Sequence, residues 1–311
     1  MVATRSTRRR ATPLLVLWRR DDARAAVVDF LPTETIAVLA VVAKPLREAQ
    51  SCLLITAIRR RGKTTVPNPP TTRALLDALL VGEPHYFCET WERGLEDWLN
   101  IEFARTSTAV VKHPFQGEGL CLEINGAMSH RGFVRPLRAQ NLLVTRSRVT
   151  ISYVQCSVEH MNGGASVAYA ILSGPGAPTS LDDHDTAIDD IIAGPRFRLN
   201  DHGTISLVWF YRIEDCNDMH TLVEVVEPDT PYIVDATFNH ESVNSCFGTT
   251  DVSITFNGNM WTAGGLPVMF NPLSSIHLFN WSPGISQIGR IEIWSERAAP
   301  SQVWRSPFYD H

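Results

Sequence analysis

Two kinds of hydrophobic spacing divide the chain. From Asp29 to about Phe103 the apolar residues recur at helical intervals. "FLPTETIAVLAVVAKPLREAQSCLLITAIRR" opens with Pro32 near a helix start and Thr33 as N-cap, and is broken by Pro45. Its apolar run "IAVLAVVA" suits a buried helix or a buried strand equally by periodicity. "TTRALLDALLVG" follows a Pro67 to Pro70 linker, sets Leu75, Leu76, Leu79 and Leu80 at helical spacing, and stops at Gly82. "ETWERGLEDWLNIEF" then puts Trp91, Leu95 and Trp98 on one face of a further expected helix, with Gly94 a mild cost.

Beyond about Arg105 the period becomes two. Leu120, Leu122 and Ile124 alternate with Cys121 and Glu123, as Val252, Ile254 and Phe256 do with Ser253 and Thr255. "VTISYVQCSV", "SVAYAIL", "TISLVWFYRI", "TLVEVVE", "YIVDATF", "SIHLFNW" and "RIEIW" continue the series. Asn257-Gly258 predicts a tight hairpin, and Asn200 to Gly203 a turn between "FRL" and "TISLVWF". So many strands without intervening helices predict a mainly β fold: a two-sheet antiparallel jelly-roll sandwich with a small N-terminal helical module. Trp209 and Trp294, in mid-strand, are expected in its core.

Composition narrows the function. At 311 residues and 44% hydrophobic content the chain is an ordinary folded protein, and a net charge of −5 gives no reason to expect nucleic acid. Arg5, Arg8, Arg9, Arg10, Arg19 and Arg20 make a basic tail around "ATPLLVLW", which is short for a signal core and lacks a small-residue cleavage site. A cytoplasmic or nuclear protein is expected, with no membrane partner, since no apolar run approaches the ~20 residues of a membrane helix. The six cysteines include no C-x-x-C pair, so reduced thiols are expected.

The motifs that suggest chemistry fall short of it. Ala57, Gly62, Lys63 and Thr64 have the spacing of a relaxed phosphate-binding loop, but Arg59, Arg60 and Arg61 fill its interior and prolines stand where its helix would begin. The stretch reads as the basic end of one element. Asp182, Asp183, Asp185, Asp189 and Asp190 offer oxygens to a hard cation, yet in no EF-hand spacing, and the histidines form no ligand pair. No catalytic residue, metal or cofactor is expected. Trp261 beside Asn259, and Trp281 beside Asn280, sit at strand ends where indole rings could stack on sugars, and form the candidate ligand rim.

The order "GEGLCLEING", "YIVDATFNH", "DVSITFNGNMW" and "SIHLFNWSPGISQIGRIEIW", roughly Thr106 to Glu296, resembles a concanavalin-like, laminin-G-type jelly roll. The resemblance implies a recognition domain for a protein or glycan. Related glycosidases carry a Glu-x-Asp-x-x-Glu strand; here "RIEDCND" places Glu214 and Asp215 on opposite strand faces, which argues against a hydrolase. Leu31, Pro32 and Glu34, followed by Ile36, Leu39, Leu46 and Leu53, resemble an F-box. That resemblance implies a Skp-type adaptor and a cullin as partners, with Leu31, Pro32, Ile36, Leu39, Leu46 and Leu53 on the docking surface. The sequence departs from it at its end, where Arg59 to Arg61 replace the usual Cys and Trp.

The expected organisation is a basic tail (1-28), an F-box-like segment (29-66), linker and helices (67-104), the concanavalin-like sandwich (105-298) and a tail (299-311). The expected function is non-enzymatic recognition, with the sandwich as a substrate receptor for a ubiquitin ligase. Alternatives are a lectin-like module behind a structural helical cap, and a glycosidase of the same superfamily.

Overall fold

The computed structural model describes residues 21–42, 50–63, 66–102, 108–112, 119–125, 131–137, 142–156, 167–173, 191–200, 202–213, 216–240, 247–269, 273–280 and 284–298. They form two compact units, divided between Glu83 and Pro84.

The first unit is helical: α1 (Asp21–Phe30), α2 (Thr33–Val42), α3 (Gln50–Arg60) and α4 (Thr72–Leu80). Helix α2 settles "IAVLAVVA" as helix, and its first turn is closed by Ile36 N–H donating to Pro32 O at 3.1 Å, one residue ahead of the expected cap. Thr71 caps α4 by accepting from Ala74 N–H at 3.3 Å. The core is Val28, Ile36, Ala40, Leu53, Leu54, Ala57, Ile58, Leu75 and Leu79. Helix α3 ends in a left-handed glycine, Gly62 at φ 68°, whose N–H donates to Arg59 O while Lys63 N–H donates to Ile58 O. This is a Schellman termination. Arg61 then donates to the carbonyls of Val28 and Leu31, and Lys63 to Val81 O with an ion pair to Glu83 at 3.4 Å. The residues that mimic a phosphate loop therefore tie helices together.

The second unit is the sandwich. One sheet is centred on β15 (Gly284–Arg297), flanked by β6 (Leu142–Cys156) on one side and by β1 (Pro84–Glu89) and β4 (Cys121–Asn125) on the other. Beyond β6 come β11 (Tyr232–Asn239), β12 (Phe247–Phe256) and β13 (Asn259–Met269); beyond β4 comes β3 (Thr108–Lys112). The other sheet runs β2 (Leu99–Glu102), β5 (Arg131–Pro136), β14 (Leu273–Asn280), β7 (Val167–Ser173), β8 (Ile191–Leu199), β9 (Ile205–Ile213) and β10 (Cys216–Val223). Among the described residues every pairing is antiparallel, and a single bridge, Leu273 with Leu142, links the two sheets. Inward residues of both sheets, among them Ile151, Val234, Ile254, Ile293, Phe197, Leu207, Trp209 and Ile276, make one core. Strands far apart in sequence lie side by side, as in a jelly roll.

Two expectations about the middle of the chain are corrected. Residues 84–102 are not helical: they supply β1, a run of turns and β2, so the sandwich begins at Pro84 rather than at 105. The physical reason is Glu89. Its buried carboxylate accepts from the N–H groups of Thr90 and Trp91, from Trp98 Nε1 at 3.0 Å and from Arg135 on β5. Trp91 is forced to φ 63° and Gly94 to φ 60°, outside the helical range. The buried indoles of Trp91 and Trp98 stack at 5.3 Å, and Trp91 Nε1 donates to Gly289 O at 2.7 Å. The hairpin at Asn257-Gly258 stands as read, with φ 47° and 75° for a type I′ turn.

Candidate functional site

The outward face of the β15 sheet gathers the polar and aromatic side chains. Ile291 and Ile293 point into the core, so by strand alternation Glu292 and Trp294 point outward. Pairing extends both rows across the sheet. One row runs Tyr86, Trp294, Arg146, Thr237 and Asp251; the next runs Cys88, Glu292, Arg148, Asp235, Ser253 and Thr262. Trp294 is therefore not a core residue, whereas Trp209 is fully buried as expected.

Contacts fix this face. Trp294 stands between Tyr86, with ring centroids 5.3 Å apart at 42°, and Arg146, whose guanidinium lies 4.8 Å over the indole. Arg146 also grips Asp235 with two prongs, Nε reaching Oδ1 at 2.7 Å, which raises its pKa above the ordinary value. Tyr86 donates its hydroxyl to Glu292 Oε1 at 2.6 Å, and Arg290 donates to the same oxygen at 2.8 Å. The bond to Glu292, followed by partial burial, pushes the Tyr86 phenol up to about 12. Tyr86 still exposes half its surface. Ring, cation and carboxylate are thus held in place before any ligand arrives.

The expected rim is only partly assembled. Asn259 and Trp261 stand together at the start of β13 with exposed Met260. Asn280 ends β14 in the other sheet, and Trp281 lies outside the described residues. Both strand ends belong to one end of the sandwich, because β15 starts at Gly284 and its first residues pair through β6 toward Tyr232 and the Asn257 hairpin. Across the sheet, β13 and β15 are four strand spacings apart, on the order of 20 Å. Asn259 and Trp261 do not share one platform with Asn280.

The F-box-like positions divide between core and surface. Ile36 and Leu53 are buried in the helical unit's own core, Leu31 packs partly against it, Leu39 is half-buried and Pro32 is exposed. Leu46 lies outside the described residues, as do Asp182 to Asp190. Ile36 and Leu53, which build that core, are not on a free docking surface. Among the described residues of the helical unit the large apolar side chains left exposed are Phe30 at 91%, Val38 at 59% and Val41 at 54%. Helical periodicity placed them among the apolar positions without telling inside from outside.

Elsewhere, the other sheet carries outward-facing His277, alternating with core Ile276 and Leu278; burial pushes its pKa down to about 3. Among the described residues no group of three His, Cys, Asp or Glu is placed to hold a metal, and Cys52, Cys88 and Cys121 form no disulfide. No described helix is long and apolar enough to cross a membrane.

No family model matches the chain, and no curated protein matches it. The sandwich is similar to solved structures at low identity. The globular domain of T. cruzi calreticulin matches at 10% identity and a TM-score of 0.46, over 67% of this chain and 87% of that one. A carbohydrate esterase from Shiga toxin-encoding bacteriophage phi24B matches at 12% and 0.42, over 68% and 97%. The basic winged bean lectin, solved with Tn-antigen, matches at 12% and 0.38, over 69% and 99%. Likenesses this slight do not bear on what this chain binds.

Proposed function

We propose that this is a non-enzymatic recognition protein whose sandwich binds a glycan on the outward face of β1, β15, β6 and β11. The observation that carries the reading is the ledge of Tyr86 and Trp294, edged by Arg146, Arg290, Glu292 and Asp235 in fixed hydrogen bonds. Aromatic rings take the C–H faces of sugars, and paired guanidinium and carboxylate groups take their hydroxyls. Glu292 and Asp235 are each committed to a guanidinium, which suits binding better than the free acid and base a hydrolase needs. The test is retention of the full chain on a panel of immobilised polysaccharides. Retention that Tyr86→Ala abolishes, with an unchanged thermal transition, supports the reading; retention lost instead in Trp261→Ala would move the site to the β13 hairpin.

A second reading concerns the helical unit, and the exposed Phe30, Val38 and Val41 favour it. An unpartnered apolar face on a short helical module is a surface for helix-groove docking, and a Skp-type adaptor with its cullin is the partner that the F-box resemblance implies. Co-purification of the adaptor that is lost in both Leu31→Ala/Pro32→Ala and Phe30→Glu/Val38→Glu would support it. Absence of adaptor with the wild-type chain would leave the helices as a structural cap.

A further inference from the structure

We infer that the saccharide held on this face carries an acidic group, a carboxylate or a sulfate, and that Arg148 selects it. The inference rests on the glycan reading above and adds the ligand's charge. In the row Cys88, Glu292, Arg148, Asp235, the arginine has a carboxylate on the strand to either side. Both already bind other donors, Glu292 through one of its oxygens. Glu292 Oε1 accepts from Tyr86 and Arg290, and the two oxygens of Asp235 are gripped by Arg146. Arg148 is exposed, and its side chain makes no ion pair or hydrogen bond among the described residues.

Over β1, β15, β6 and β11 the outward charges balance. Arg146, Arg148 and Arg290 stand against Glu292, Asp235 and Glu296, and among the described residues Arg148 is the one of these arginines that no carboxylate engages. Asp251, one strand further, has its Oδ1 committed to Gly265 N–H at 2.9 Å. Arg146 and Arg148 are two residues apart on one strand face, so their Cα atoms are about 7 Å apart, close to the Tyr86 and Trp294 rings. A neutral sugar leaves the Arg148 fork to water. A carboxylate or sulfate satisfies it with two parallel N–H···O bonds while the ring rests on Tyr86.

The experiment compares binding of the full chain to polygalacturonate, a sulfated galactan and an unsubstituted galactan, with and without added salt. The acidic polymers are expected to bind about tenfold tighter than the neutral one, as charge-assisted hydrogen bonds do, and to weaken with salt. Arg148→Gln should reduce acidic binding to the neutral level and leave neutral binding unchanged. Arg198→Gln, an exposed arginine on β8 of the other sheet, should change neither. The two acidic polymers separate carboxylate from sulfate as the source of the charge. Equal binding of acidic and neutral polymers, an acidic preference that survives Arg148→Gln, or an equal effect of Arg198→Gln would overturn the inference while Tyr86-dependent binding leaves the glycan site in place. Failure of every polymer to bind, or binding unaffected by Tyr86→Ala, would remove the site and the inference together.

Discussion

Arg146 and Trp294 stand face to face across β6 and β15, the guanidinium 4.8 Å above the indole while its other edge grips Asp235. The pairing packs Trp294 between the Arg146 guanidinium and the Tyr86 ring. Because Arg146 is nearly half exposed, its stabilising effect is modest. Asp235→Asn is expected to lower unfolding free energy by about 1 kcal/mol in a urea titration. It should also reduce polysaccharide retention by more than that loss explains, because Arg146 is then free to leave the ring. Retention equal to wild type would show that the grip plays no part in binding.

Glu89 predicts a much larger effect. It is buried and receives Trp98, Arg135 and two backbone N–H groups, joining β1 of one sheet to β5 of the other. Removing it leaves the Arg135 guanidinium in a largely buried site beside Phe87 and Trp98, with Asp97 as its remaining partner. Glu89→Ala should cost about 3–5 kcal/mol by chemical denaturation, and Glu89→Gln less, since one oxygen still accepts. A cost below about 1 kcal/mol for the alanine would show that the cluster is not what closes this edge.

That cluster also marks where the sequence stops being legible. Trp91, Leu95 and Trp98 have helical spacing, and only a carboxylate captured by an arginine 46 residues away turns the segment into a tight bend. Nothing local announces a partner at that distance. Strands β4 and β12 and the Asn257-Gly258 hairpin were readable because their pattern is local: alternation and a dipeptide that accepts positive φ. Trp294 was misplaced although the signal was present, since the alternation of Ile291 and Ile293 already sends Glu292 and Trp294 outward. Tyr86 had no such signal, for its place beside Trp294 depends on pairing with a strand some two hundred residues later. In the helical unit, Ile36 and Phe30 look alike in sequence and lie on opposite sides of packing.

His277 makes stability depend on acid. Its folded value, about 3, lies below the ordinary 6.5, so the unfolded chain takes up the proton first. Its contribution is therefore constant above about 6.5 and turns destabilising as pH falls toward 3, at up to about 1.4 kcal/mol per pH unit. The slope of unfolding free energy between pH 6.5 and pH 4 should flatten in His277→Gln, whatever that substitution does to stability at neutral pH. An unchanged slope would place the acid sensitivity elsewhere.

Two glycines distinguish strain from collision. Gly258 has φ 75° with open space around it, so Gly258→Ala meets only the left-handed backbone penalty of about 1–2 kcal/mol. Gly248 lies on β12 where an added Cβ would stand 2.7 Å from the backbone oxygen of Asn239, which cannot swing aside as a side chain would. Gly248→Ala should therefore destabilise by up to about 3 kcal/mol and disturb the β11–β12 pairing, visible as faster amide exchange along both strands. Equal costs for the two substitutions would contradict the close approach.

The most direct measurement is hydroxyl-radical footprinting of the full chain with and without a polysaccharide that retains it, read by mass spectrometry at single aromatic residues. A glycan seated on the outward face predicts reduced oxidation of Tyr86 and Trp294, with Trp261 and Met260 unchanged. Protection of Trp261 and Met260, with Tyr86 and Trp294 as reactive as in the free protein, would contradict it and put the ligand on the β13 hairpin.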